Sequence, residues 1–138
     1  MKRIIVAIIV IVVIIILAAI ACGESSQSIP TLTGTWTGTY TCSQGLTGIR
    51  LVLQAKDGKL TGTENFFAVK GNPGVPSGSL TVTGTYSNTA TGINPGHWIK
   101  QPAGYELEHL TAGPPEAGKL HGKVIPSSAC TTFTVTKE

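Results

Sequence analysis

The chain has 138 residues, with ten Lys and Arg against seven Asp and Glu, a length that suits one domain rather than two. Lys2 and Arg3 sit in an apolar head, so eight bases face seven acids in the rest of the chain. The nominal charge of +3 therefore argues neither for nucleic acid nor for an anionic partner, and the remaining Lys residues are dispersed rather than clustered.

Residues 4–20 are unbroken apolar sequence behind the basic pair, the layout of a secretory signal. At this length a retained signal anchor is the competing expectation, because a spanning helix needs about 20 apolar residues. The ending favours cleavage. Leu17-Ala18-Ala19-Ile20-Ala21-Cys22 closes the apolar run with small residues before a cysteine, and Gly23-Glu24-Ser25-Ser26 turns polar at once. This stretch resembles the lipobox of bacterial lipoproteins. The resemblance implies residues 1–21 as a removed signal and Cys22 as the lipid-bearing residue, with diacylglyceryl and palmitate-type chains. It also implies attachment to the cell envelope, facing the periplasm or the exterior. Gly23 rather than Asp after the cysteine implies the outer membrane if the source is diderm. A single acyl chain binds membranes only marginally, whereas two or three give stable anchoring.

Residues 22–31 read as a flexible Ser-rich tether, and residues 32–138 as an antiparallel β domain. Removing Cys22 from the three cysteines leaves Cys42 and Cys130, which outside the cytoplasm are expected to form a disulfide. The first strand, 32–42, sets Leu32, Gly34, Trp36, Gly38, Tyr40 and Cys42 on one face and Thr on the other, the period of a half-buried strand. Ile49 to Leu53 follows. Asp57-Gly58 then marks a tight hairpin into 59–63 and onward to Phe66-Phe67-Ala68-Val69. A loop rich in Gly and Pro covers 71–76, and Gly78 to Tyr86 alternates again. Short strands are expected over 97–100, 105–110, 118–125 and 130–136, with no helix after the head. Short sequential strands favour an all-β meander of seven or eight strands, closed or nearly closed, since closure removes exposed edges. A two-sheet sandwich is the alternative. The near copies Leu32-Thr-Gly-Thr35, Leu60-Thr-Gly-Thr63 and Val82-Thr-Gly-Thr85, and the echo of 58–62 in 118–122, point to repeated hairpin geometry rather than to a solenoid.

Trp36-x-Gly38-x-Tyr40-x-Cys42-x-Gln44-Gly45, Gly96-x-Trp98-x-x-x-Pro102-x-Gly104-Tyr105 and Cys130-x-x-Phe133 together resemble a small domain of bacterial envelope proteins, which implies a fold unit and no activity. Leu32-Thr-Gly-Thr-Trp36 with 57–63 is similar to the opening strands of avidin-like and lipocalin-like barrels.

Catalytic signatures are missing from the sequence: no G-x-S-x-G, P-loop or dinucleotide fingerprint occurs. His97, His109 and His121 recur every twelve residues, but without a local pair of ligand spacing, so no metal and no cofactor is expected. Glu106 and Glu108 would lie about 7 Å apart on one strand face, a separation compatible with acid/base work and equally the solvent face of an amphipathic strand. No catalytic residue is expected. Trp98, Tyr105 and Phe67 are the candidate contacts for a ligand or partner, since aromatics at a barrel mouth hold small molecules by stacking and apolar contact. Two functions follow. One is a non-catalytic structural or interaction module engaging envelope proteins; the other is a calycin-like carrier with a small apolar ligand inside. An internal cavity distinguishes them.

Overall fold

The computed structural model describes residues 31–138. The signal segment, Cys22 and most of the tether lie outside the described residues.

Eight strands follow in order: β1 (Gly34–Cys42), β2 (Gly45–Lys56), β3 (Lys59–Phe67), β4 (Gly78–Tyr86), β5 (Thr91–Lys100), β6 (His109–Ala112), β7 (Lys119–Ile125) and β8 (Cys130–Lys137). Each pairs antiparallel with the next, and β1 pairs with β8, so the meander closes into a barrel with no free edge. The described residues contain no helix. The sandwich alternative is thereby set aside.

Strand alternation builds the core. Trp36 and Tyr40 on β1, Ile49, Leu51 and Leu53 on β2, Val82 on β4, Leu120 and Val124 on β7 and Phe133 and Val135 on β8 are all buried, and the Thr positions between them face out. Asp57 and Gly58 both take positive φ, 50° and 74°, the pair of left-handed residues that a two-residue type I′ hairpin requires.

Two of the T-G-T echoes, and the glycine of the 118–122 echo, have a steric cause. A Cβ placed on Gly62, Gly84 or Gly122 would fall 1.9, 2.0 or 1.9 Å from a carbonyl oxygen of the neighbouring strand. These glycines let neighbouring backbones approach closely.

Register shifts on two strand pairs redirect side chains that simple alternation misplaces. Along the β1–β8 seam, Tyr40 faces Phe133 while Cys42 faces Cys130, so two residues of β1 span three of β8. The extra residue brings Cys130 to the inner side, where it bonds Cys42. On β4–β5, Leu80 faces Trp98 and Val82 faces Pro95. Counting inward from Ile93 by twos would point Ile99 inside and Trp98 out. The bulge reverses this: Trp98 packs on the core and Ile99 is 60% exposed.

The expected strand over 105–110 is corrected. Strand β6 begins only at His109, and 101–108 is a loop. Conversely β5 starts at Thr91, well before His97. Pro95 disguises that start, and it is tolerated because it sits at the bulge.

The two ends of the barrel differ. At one, Leu32 is fully buried and its carbonyl accepts a 2.9 Å hydrogen bond from Trp36 Nε1, while the Lys137 ammonium stands 5.6 Å from the indole centroid. That end is filled. The other is framed by the β1–β2 turn and the loops at 68–77, 101–108 and 126–129.

Candidate functional site

At the framed end the barrel holds a cavity of about 360 Å³, within the size range of small-molecule sites. Its aromatic wall comes from three strands or loops. Phe66 on β3 stacks on Tyr105 of the 101–108 loop, centroids 5.1 Å apart and planes within 8°. Trp98 on β5 meets Phe66 edge-to-face at 6.1 Å. Both geometries are the favoured ones for aromatic pairs. The loop is pinned by Gln101 Nε2 donating to the Tyr105 carbonyl at 3.0 Å. On the opposite side Gln44 Nε2 donates to Tyr40 Oη at 3.1 Å and to Thr47 Oγ1 at 3.3 Å. Asn72 Nδ2 donates to the Gln44 carbonyl at 2.7 Å, tying the 68–77 loop to the β1–β2 turn.

Three carboxyl groups line the same cavity: Glu64, Glu106 and Glu108. Glu64 is opposite Leu51 on β2 and Leu80 on β4, both buried, so its side chain projects into the barrel. It is partly buried and lines the cavity wall. Burial, followed by the nearby Glu108 carboxyl, pushes Glu64 up to about 8. Burial also raises Glu108, to about 7. Tyr40 is held well above the usual phenol range by burial and then by the Glu64 and Glu108 carboxylates. Tyr105 is raised by burial and then by Glu108.

Glu108 lies against the disulfide, with one carboxyl oxygen 3.0 Å from Cys42 Sγ and the other 2.9 Å from Cys130 Sγ. Bonded sulfurs carry no proton to donate, so this contact favours the neutral acid. Cys42, Cys130 and Glu108 have ligand atoms within 4.8 Å of one another, but the S–S bond uses both sulfurs that a metal would need as thiolates.

Of the residues singled out in the sequence, Trp98 and Tyr105 are brought together across Phe66. Phe67 is not: it faces outward and lies over Gly48, where an added Cβ would fall 2.3 Å from the ring. Its neighbour Phe66 takes the inner position. Glu106 and Glu108 are both at the cavity, yet as loop residues rather than as a strand face. Glu64 escaped notice, although the period of two running Leu60, Gly62, Glu64, Phe66 sets an acid among inward positions. The three histidines do not converge. All are exposed on the outer surface, His109 Nδ1 3.1 Å from Asn94 Oδ1 and His121 Nδ1 2.7 Å from Thr134 Oγ1.

No family model, curated protein or solved structure matches the chain.

Proposed function

We propose that this chain is a non-catalytic envelope lipoprotein, anchored through acylated Cys22, whose barrel carries a small molecule in its open end. The observation that supports the carrier reading is the cavity itself: one end of the barrel is filled by Leu32 and Trp36, whereas the other leaves about 360 Å³ beside Phe66, Trp98 and Tyr105. A purely structural barrel gains by filling its interior to native density. Leaving an aromatic-walled space with inward acids is expected of a ligand site. The anchor part of the reading is supported by the Leu17–Cys22 pattern.

One observation favours the interaction-module reading. Ile99, Leu46 and Leu107, exposed at 60, 45 and 38%, lie around the same end and would suit an apolar partner surface.

Native mass spectrometry of the protein, extracted from its own membrane in non-ionic detergent, tests the proposal. The expected species begins at Cys22 with diacylglyceryl mass and carries a small non-covalent ligand that Trp98→Ala loses. A chain retaining Met1 to Ala21 contradicts the lipoprotein part. Ligand-free protein that also takes up no small molecule contradicts the carrier part.

A further inference from the structure

We propose that the ligand is an organic cation, an amine or quaternary ammonium on a small apolar body, seated with its charge beside Glu64 and its body against Phe66, Trp98 and Tyr105. This rests on the carrier reading above and narrows it to a chemical class.

The wall chemistry selects the charge. Glu64, Glu106 and Glu108 line the cavity, and none of its wall residues is Lys, Arg or His. An anionic ligand such as a fatty acid would lose its hydration and meet only like charge or neutral acids. A wholly apolar ligand would displace water from Glu64 and give it nothing in return. Among the described residues Glu64 takes part in no side-chain hydrogen bond and no ion pair; the salt bridge that is present joins Arg50 to Glu138 on the outer surface of the barrel. A partly buried carboxyl that faces a cavity and lacks a partner is completed by a cation that brings its own N–H donors or positive charge.

The aromatic residues select the same class. Ring faces attract cations through their quadrupole, more strongly where water is excluded. Tyr40, Phe66, Trp98 and Tyr105 surround the space into which Glu64 projects, so charge neutralisation and ring contact converge on one location.

The groups that face Glu64 set how binding depends on pH. Tyr40 from β1 and Glu108 from the 101–108 loop interact with Glu64, and Tyr105 and Glu106 of that loop line the same cavity; Leu51, Leu80 and Trp98, from β2, β4 and β5, carry no charge. Alkylamines stay protonated up to about pH 10, whereas Glu64 gains its charge only towards about 8. Affinity for an amine therefore rises from mildly acidic to mildly alkaline solution.

Calorimetric titration of the full-length protein in non-ionic detergent with phenylpropylamine, phenylpropanol and phenylpropionate separates the possibilities. The amine is expected to bind more tightly than the alcohol by about thirtyfold or more, as for a buried charge pair losing one member, and the propionate not to bind measurably. Glu64→Gln should abolish the preference for amine over alcohol. A pH series on the unaltered chain tests the same point without a substitution: amine affinity should climb between about pH 5 and about pH 8.5, the window over which the acid ionises. Alcohol or propionate binding as tightly as the amine, a preference that survives Glu64→Gln, or an amine affinity flat with pH overturns the cation assignment and leaves the carrier reading standing. Failure of all three compounds to bind overturns both.

Discussion

Glu64 and the two tryptophans show how single residues divide the barrel into a part that stabilises and a part left open. The folded state holds the Glu64 proton up to about 8 and the Glu108 proton up to about 7, whereas the unfolded chain releases both near the usual carboxyl range of about 4.3. Between those limits the folded protein binds more protons than the unfolded one, so stability falls as pH rises. Thermal melts of the ligand-free protein should therefore drop by several degrees between mildly acidic and mildly alkaline solution, and Glu64→Gln should flatten much of that slope. The two tryptophans should separate as well. Trp36 is 1% exposed, and Trp36→Ala is expected to remove about 3–5 kcal/mol. Trp98 is only partly buried, and its replacement by Ala should remove about 1–2 kcal/mol while eliminating ligand uptake. Chemical denaturation of both variants provides the comparison.

At the scale of strands, what could be read from the sequence is what strict alternation governs. β4 matches its expected bounds, Gly78–Tyr86, because Leu80 and Val82 alternate with Thr without interruption. The inner face of β1 and the Asp57-Gly58 hairpin were equally legible. Three features were not, and each has a cause. The β4–β5 bulge shifts parity, so that Trp98 and Ile99 exchange sides. Pro95 hides the first half of β5. Tyr105 to Leu110 alternates as a strand would, yet the chain at 101–108 packs around the barrel mouth and pairs with no neighbour. Phe66 and Phe67 are adjacent and chemically alike, so only the register with Ile49 and Gly48 decides which one reaches the cavity. Gly62 and Gly84, in two of the T-G-T echoes, sit where neighbouring backbones come close. Gly62→Ala would drive a methyl to 1.9 Å from the Val52 carbonyl oxygen, and a loss of about 1–3 kcal/mol or more is expected, measurable as a reduced urea midpoint.

The whole molecule is a meander whose ends meet, and the closing seam is reinforced covalently. Cys42 and Cys130, 88 residues apart in sequence, join β1 to β8, the one strand pair in the barrel that is not sequential. Replacing both by Ala should lower stability by about 2–4 kcal/mol, read by denaturation against the oxidised protein. Cysteine count made this bond legible once the lipobox resemblance had set Cys22 aside. The barrel followed from turn spacing and the lack of helical periodicity, and the cavity did not, because an interior void depends on which end the bulky side chains fill. Trp36 and Leu32 fill one end; Glu64, a carboxyl among inward positions, marks the end left open.

Fluorine NMR of the protein labelled with 5-fluorotryptophan tests that division most directly, since Trp36 and Trp98 are the two tryptophans and report on opposite ends. Titration with phenylpropylamine in mildly alkaline solution should move the Trp98 resonance and leave that of Trp36 in place. Movement of Trp36 alone, or of neither resonance, would contradict a ligand site at the open end of the barrel.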